Sequence, residues 1–255
     1  MKQNSNLGLA ERVALVTGGS RGIGRAVVEL LASFGAHVVV NYVSDEDAAL
    51  ETCRIARTHG VKALAVQADV SRVEEAERLL QQTVEHLGRV DFLICNAGIW
   101  KGAAVESIPE ELWDKTLDIN LKGTWSVCRA AVPLMKQQRF GRIVIVSSTA
   151  GQRGEANYSN YAASKGAQIS FTKSLATELG ASGINVNCVA PGWVQTDMTA
   201  EALSDPQEIE WIKKNVPLGR VATPEDIAGP IVFLCTEWAA HMTGAVLSVN
   251  GGSVL

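Results

Sequence analysis

No apolar run in this chain of 255 residues approaches the roughly 20 residues that a membrane-spanning helix requires, so a spanning helix is not expected. A basic surplus is also missing. Lys and Arg number 23 against 27 Asp and Glu, the net charge is -4, and neither sign forms a long run, which leaves no surface suited to nucleic acid or another polyanion. Cysteine is sparse and scattered. Cys53, Cys95, Cys128, Cys188 and Cys235 are odd in number and far apart, which excludes a close-spaced metal set and argues for a reducing compartment rather than a disulfide scaffold. Cys95 follows an apolar run and reads as a buried structural thiol. The four histidines, His37, His59, His86 and His241, form no H-E-x-x-H motif, and no metal site is expected. The opening M-K-Q-N-S-N-L-G-L-A-E-R has no continuous apolar stretch before Val13, which argues against a secretory signal and for a cytoplasmic protein.

What the chain does have is rhythm. Short apolar runs at Val13 to Thr17, Val38 to Tyr42, Ala63 to Gln67, Phe92 to Cys95, Arg142 to Ser147, Asn185 to Val189 and Val246 to Val249 read as strands. Amphipathic segments alternate with them: one ending near Phe34, then Asp45 to Thr58, Val73 to His86, Pro109 to Asp118, Leu121 to Gln137 after a short break, and Tyr161 to Leu179. A β-to-α alternation with 47% hydrophobic residues predicts an α/β fold, a Rossmann-like three-layer sandwich on a mostly parallel, seven-stranded sheet. No linker interrupts it. Residues 1–255 read as one domain, with a variable, mobile substrate-binding segment at 193–217.

The first turn carries the nucleotide argument. Thr17-Gly18-Gly19-Ser20-Arg21-Gly22-Ile23-Gly24 lies between the first strand and the first helix. Glycines there allow close backbone approach to a pyrophosphate, and the open amides of a helix start attract its charge. Inside a βαβ unit this points to a dinucleotide, although an empty structural turn stays open at this point. At the end of the second strand, NAD sites commonly place an acid. Here V-V-V-N-Y-V-S offers Asn41, followed by Tyr42 and Ser44, and Asn41 would not repel an added phosphate. With Arg21 and Ser44 available to receive that phosphate, the expected cofactor is NADP(H), NAD(H) being the alternative if Asn41 only caps the strand.

The proton-handling candidates are Tyr161 and Lys165, four residues apart in Y-A-A-S-K and so on one helix face. A lysine cation beside a phenol favours the phenolate and lowers its pKa, and the phenol can then exchange a proton with an alkoxide or alcohol. Ser148, in S-S-T-A-G, could orient a carbonyl oxygen. An exposed helix pair remains the plain alternative for the Tyr and Lys. Tyr158 lacks a cation four residues on and reads as a pocket wall.

Taken together these motifs resemble the short-chain dehydrogenase/reductase family from Arg12 to about Gly252. T-G-G-S-R-G-I-G matches its glycine turn, Cys95-Asn96-Ala97-Gly98 matches N-N-A-G with Cys95 in place of the first asparagine, and Val189-Ala190-Pro191-Gly192 with Thr196 matches the segment past the nicotinamide strand. Asn120 in I-N-L-K-G, Ser148, Tyr161 and Lys165 match its four-part active site. The resemblance implies that Tyr161 acts as acid or base, and that Lys165 lowers its pKa and holds the nicotinamide ribose. It also implies that Ser148 positions the substrate oxygen and that Asn120 retains a water linking Lys165 to solvent. For the cofactor it implies contacts from Gly18, Ser20, Arg21, Gly22, Ile23, Gly24, Asp69 with Val70, Asn96, Ala97, Gly98, Pro191, Gly192, Val194 and Thr196.

Substrate identity is thinner. Trp100, Tyr158, Trp193, Met198 and Trp211 are candidates to surround an apolar substrate. Within the family the chain looks most like a 3-oxoacyl-carrier-protein reductase, which implies a 3-oxoacyl thioester as substrate and NADPH as reductant. Arg139 falls where such enzymes carry a basic residue for the acidic acyl carrier protein, but Ser182 stands where a second arginine is common, which leaves that partner in doubt. A reductase of a free ketone, secondary alcohol or sugar is the alternative, and a nucleotide-binding regulator without turnover the remote one. The resemblance further implies a homotetramer, with a dimer next, built on Leu121 to Gln137, Tyr161 to Leu179 and the C-terminal strand.

Overall fold

A computed structural model describes residues 7–254; the first six residues of the N-terminal reading lie outside that range. All seven expected strands form, as β1 (Val13–Val16), β2 (His37–Tyr42), β3 (Ala63–Gln67), β4 (Phe92–Cys95), β5 (Gly141–Val146), β6 (Ile184–Pro191) and β7 (Val246–Val249). They build one parallel sheet in the order β3-β2-β1-β4-β5-β6-β7. Strand side chains alternate between faces, and both faces are apolar. Val16, Val40, Ile94 and Val146 pack under α1 (Gly22–Ser33), α2 (Glu46–Arg57) and α9 (Pro224–Cys235). Leu15, Val39, Leu93 and Ile145 pack on the other side under α3 (Val73–Leu87), α5 (Gly123–Gln138) and α7 (Ser159–Leu179). The result is the three-layer Rossmann-like sandwich.

The strand order reverses between β1 and β4, and the crevice that ligands use in such sheets opens at that point, beyond the carboxyl ends of the strands. The opposite ends of the same two strands are tied by a buried carboxylate. Asp91, just before β4, accepts from the Val13 amide at 3.0 Å, from Arg12 Nη1 at 2.8 Å and from Arg89 Nε and Nη2 at 2.7 and 2.6 Å.

Three features depart from the sequence reading. The break expected between Asp118 and Leu121 is instead a π turn, Asp118–Lys122, that joins α4 (Glu110–Leu117) to α5 without interruption. The segment 193–217 holds the helix α8 (Pro206–Asn215), with Ile212 and Val216 in a small core of their own beside Trp193 and Leu203. Helix α9 was not anticipated, because I-A-G-P-I-V-F-L-C is apolar on nearly every side and has no amphipathic stripe. Its start signal was nevertheless present: the Thr223 side chain accepts from the Asp226 amide, Asp226 accepts from the Thr223 amide, and Pro224 opens the helix.

Asp91→Ala should lower the free energy of unfolding by about 2 kcal/mol, because it leaves the buried Val13 amide without its acceptor and two part-exposed guanidinium groups without the anion they share. Urea denaturation measures this; a loss below about 1 kcal/mol would show that the clamp does not hold β1 against β4.

Candidate active site

The crevice is a cleft of about 860 Å³, within the range of ligand sites, lined from Gly18 and Ser44 at one end to Trp100, Trp193 and Met198 at the other. At the first end, Gly18 sits at φ +59, and a Cβ on Gly24 would lie 2.2 Å from the Gly18 carbonyl oxygen, so the turn can close on α1 only with glycine there. Arg21 precedes α1 with extended backbone and provides no side-chain cap, and the first turn of the helix holds no acid. Its leading amides therefore face the cleft without a side-chain acceptor, as an anion-binding helix start requires.

Thr17 locks this turn to the strand opposite. Its hydroxyl accepts from the Asn96 and Ala97 amides at 2.9 and 3.0 Å and donates to the Ile94 carbonyl at 3.3 Å, while Asn96 Nδ2 donates back to the carbonyls of Thr17 and Gly18. Sequence reading missed Thr17, although its place at the head of the glycine turn was a signal.

Asn41 departs from its expected use. It borders the cleft, but its side chain is committed to the protein: Oδ1 accepts from the Gly18 amide at 3.3 Å and Nδ2 donates to the Ala68 carbonyl at 2.9 Å. It shapes the turn and the β3 exit. The residues that face the cleft after it are Tyr42, Val43, Ser44 and Asp45, the last capping α2 by accepting from the Ala48 amide. Arg21 lies there too, its guanidinium 3.8 Å from the Asp197 carboxylate with both side chains mostly exposed. Asp69 and Val70 line the same wall, and Asp69 Oδ1 accepts from both the amide and the hydroxyl of Ser71.

In the middle of the cleft the structure brings Ser148, Tyr161 and Lys165 together. Ser148 ends the stretch after β5 and caps the short helix α6 (Thr149–Arg153), its Oγ accepting from the Ala150 amide at 3.1 Å. Tyr161 and Lys165 share one face of α7, with Nζ 5.7 Å from the phenol ring centre. Ser147 Oγ donates to the Lys165 carbonyl at 2.8 Å and so fixes α7 against β5, a contact that the S-S pair could have suggested. Burial pushes the Tyr161 phenol up to about 12, against a hydrogen bond with Ser148 that pulls it back. This reverses the expected direction: burial is the largest cause and Lys165, whose Nζ donates to the Val146 carbonyl at 2.8 Å, does not offset it. Burial also drives the Lys165 ammonium down to about 8.

Asn120 sits in the π turn, fully buried behind the cleft rather than on its wall. Its Oδ1 accepts from the Ile99 amide at 2.8 Å, and its Nδ2 donates to the Ile99 carbonyl and to Ser164 Oγ, both at 3.0 Å. A Cβ built on Gly98 would lie 3.1 Å from Asn120 Oδ1 and 3.5 Å from Lys165 Nζ, so both groups face the same point. Pro191, Gly192, Val194 and Thr196 complete the far wall.

At the outer end, Trp100 stacks on Tyr158 with ring centres 4.6 Å apart and meets Trp193 edge-on at 5.7 Å. Tyr158, expected as a wall of the pocket, does not itself line the cleft and supports Trp100 from behind. Trp211 is half-exposed on α8 and does not line the cleft, contrary to expectation. Lys101, Lys115, Arg153 and Glu155 border this end and were not anticipated. Among the described residues, no cluster of His, Cys, Asp and Glu could hold a metal ion, and no helix is long and apolar enough to cross a membrane.

A family model described as enoyl-(acyl carrier protein) reductase matches residues 18–253. The chain belongs to the short-chain dehydrogenase/reductase family. It is 40% identical over 248 residues to a 3-oxoacyl-[acyl-carrier-protein] reductase of Synechocystis sp., covering 97% of this chain and 98% of that one. The corresponding protein of Aquifex aeolicus is 40% identical over 244 residues, covering 96% and 98%. Among solved structures, a putative short-chain alcohol dehydrogenase of Sinorhizobium meliloti superposes with a TM-score of 0.92 at 36% identity, covering 96% of each chain. A mutant of a Serratia marcescens short-chain dehydrogenase/reductase superposes with a TM-score of 0.90 at 35% identity, covering 96% of this chain and 98% of that one. Membership makes this chain an NAD(P)-dependent oxidoreductase acting on carbonyl and alcohol groups. The glycine cradle and the open start of α1 fit a dinucleotide phosphate.

Because the Lys165 pKa is lower in the folded chain than in the unfolded one, the unfolded chain binds more protons between about pH 8 and 10.5, and stability rises with pH across that window. Below pH 8 the full cost of the buried cation is present. Lys165→Met should therefore raise the free energy of unfolding at pH 7, by up to about 3 kcal/mol less what the Val146 carbonyl loses, and the thermal midpoint with it. The advantage should shrink as pH approaches 10. Calorimetry across pH 7–10 checks this; an advantage constant with pH would refute the buried-cation account.

Proposed function

We propose that the protein reduces 3-oxoacyl thioesters to 3-hydroxyacyl thioesters with NADPH. The observation that carries the chemical part is the convergence of Ser148, Tyr161 and Lys165 halfway along a cleft whose inner end is a phosphate-binding turn. In this reading the bound cofactor supplies hydride to the carbonyl carbon. Ser148 holds the carbonyl oxygen, and Tyr161 gives it a proton. A phenol pushed up by burial stays protonated at neutral pH and is still far more acidic than the alcohol formed when the developing alkoxide takes its proton, so the transfer runs downhill. Lys165, cationic below about pH 8, holds the cofactor ribose and returns a proton to Tyr161, and Asn120 connects it to solvent. The remaining cleft residues from Gly18 to Thr196 hold the dinucleotide.

Choice of NADPH rests on the charge at the inner end. No acid stands at the end of β2, and the exposed, long pair between Arg21 and Asp197 leaves the guanidinium free to take a phosphate, with Ser20 and Ser44 beside it. The thioester substrate rests on relatives similar over their whole length that carry that name. An acyl carrier protein would meet exposed Arg139 at the end of α5 without help from Ser182. A free ketone is favoured instead by the Trp100–Trp193 corner, which suits a compact ring as well as a chain. Residues 1–255 would act as one domain, with 193–217 closing over substrate as a unit on its own small core of Ile212, Val216 and Val221. The outward side of α7 carries Ala163, Ala167 and Ser170, small residues that would let a second α7 approach closely in a homotetramer. The reading places the protein in the cytoplasm.

The decisive measurement is nicotinamide absorbance over a panel of 3-oxoacyl thioesters, ketones and secondary alcohols with both cofactors, with Tyr161→Phe as control. Thioesters should turn over fastest, and the variant should keep its fold and cofactor affinity while losing at least about 100-fold in kcat. Preference for small ketones would reject the thioester reading, and near-normal turnover by the variant would reject the role of Tyr161. In a separate comparison, Arg21→Ala should raise the KM for NADPH about tenfold and leave that for NADH within about twofold. Equal effects on both would remove Arg21 as the phosphate partner.

A further inference from the structure

Helix interfaces deep in a fold are ordinarily apolar, but the one behind Tyr161 and Lys165 is not. On one side stand Thr116, Asn120 and Thr124, spaced by four; on the other stand Asn160, Ser164, Gln168 and Thr172, spaced by four again. All are buried. Their hydrogen bonds run across the seam: Asn160 Nδ2 donates to Thr116 Oγ1 at 2.9 Å, Asn120 Nδ2 to Ser164 Oγ at 3.0 Å, and Gln168 Nε2 to the Asn120 carbonyl at 2.7 Å and to Thr124 Oγ1 at 2.8 Å.

Asn160 and Gln168 each leave a buried amide oxygen without a partner, and of the two only Gln168 reaches the π turn. One hydrogen of the Gln168 amide goes to the Asn120 carbonyl in the π turn and the other to Thr124 Oγ1 in the first turn of α5, while Oε1 is buried with no partner. A flipped amide would put Oε1 against the Asn120 carbonyl, two acceptors facing one another, so the orientation is fixed by chemistry. A leucine here would avoid the unpartnered oxygen, and keeping a glutamine needs a reason. The reason lies in its target. A π turn removes backbone carbonyls from the regular helical ladder, and Gln168, with Thr124 Oγ1 at 2.8 Å, supplies side-chain donors to the carbonyl of the residue at its centre. That residue's side chain holds Ile99 by both its amide and its carbonyl.

We infer that Gln168 is a positioning residue: by pinning the Asn120 carbonyl it fixes the π turn, and thereby sets Asn120 Oδ1 at the point it shares with Lys165 Nζ beside Gly98. The inference rests on the proposed part of Asn120 in proton return to Lys165. Loss of Gln168 should loosen the turn and misplace that side chain without touching the cleft wall.

Three variants test it: Gln168→Leu, which removes the donors; Gln168→Glu, which burial keeps neutral and which retains one donor; and Asn120→Ala as a control on the parent reading. In Gln168→Leu, hydrogen exchange at the Ile99 amide should speed up about tenfold or more, a readout independent of turnover. The kcat for carbonyl reduction should fall about tenfold with KM within about twofold, and the basic limb of the pH profile should move. Gln168→Glu should recover most of both effects. A lowered thermal midpoint with unchanged Ile99 exchange and unchanged pH profile would reduce Gln168 to packing and overturn the inference. If Asn120→Ala itself leaves kcat and the profile unaltered, the proton-return reading fails instead; if Asn120→Ala changes them and Gln168→Leu does not, only the inference on Gln168 fails. Should Gln168→Leu not fold, Gln168→Met, which keeps the length of the side chain without its donors, takes its place under the same criteria.

Discussion

One hydroxyl group decides how the two halves of this site face each other. Thr17 stands where β1 ends, and its single oxygen receives the amides of Asn96 and Ala97 while its proton goes to the Ile94 carbonyl. A parallel sheet whose strand order reverses between β1 and β4 must splay at that point, and any ligand that bridges the splay needs both lips at a set spacing. Thr17 sets it from the centre, and Asp91 ties the same strands at their other end. The glycine turn, the Asn96-Ala97-Gly98 lip and, through Ile99, the Asn120 side chain all take their positions from that spacing. A valine in place of Thr17 would keep the shape and leave two buried amides without an acceptor.

The middle of the cleft is built against the ordinary preferences of folding. A lysine ammonium lies buried with a backbone carbonyl as its hydrogen-bond acceptor, and a phenol lies buried beside it. Burial penalises the charged form of each, so the phenol keeps its proton more strongly and the ammonium less strongly than in water. The phenol is therefore neutral and the ammonium still charged at neutral pH, with the lysine losing its proton more readily than it would in water. Strain of this kind lowers stability and persists where function requires it.

Much of this was legible in the sequence, and for identifiable reasons. Parallel strands buried on both faces read as continuous apolar runs; β1 and β4, fully buried between polar neighbours, are the plainest cases, and the other runs recur in the same rhythm, so their number and order along the chain could be read. That Tyr161 and Lys165 share a helix face was legible from their spacing, and Ser148 was singled out by its motif. What could not be read depends on direction in space. Asn41 and Tyr42 are neighbours on one strand, but the pleat sends the asparagine into the fold, where the Gly18 amide and the Ala68 carbonyl take it up. Trp211 looked like a pocket residue by type, yet α8 carries it on its outer side. The direction of the Tyr161 shift was misjudged because spacing places a lysine near a phenol without saying which atom its ammonium will meet; here it meets the Val146 carbonyl.

Helix α7 shows how the same element serves two ends. Its buried residues as far as Thr172 are Asn160, Tyr161, Ser164, Lys165, Gln168 and Thr172, every one polar; beyond it they are Leu175, Ala176 and Leu179, every one apolar. The spacing is helical throughout, so the helix turns one continuous face inward, and only the chemistry of that face changes. The apolar half packs into the core under Ile143 and Val186 and gives the helix its hold on the sheet. The polar half gains no such burial energy and depends on partners across the seam, on the π turn and on β5. Anchorage and chemistry are thus separated along one axis. The tight, apolar end fixes where the helix lies, and that fixed position allows the polar end to hold Tyr161 and Lys165 in a place where water would otherwise be the better solvent for both.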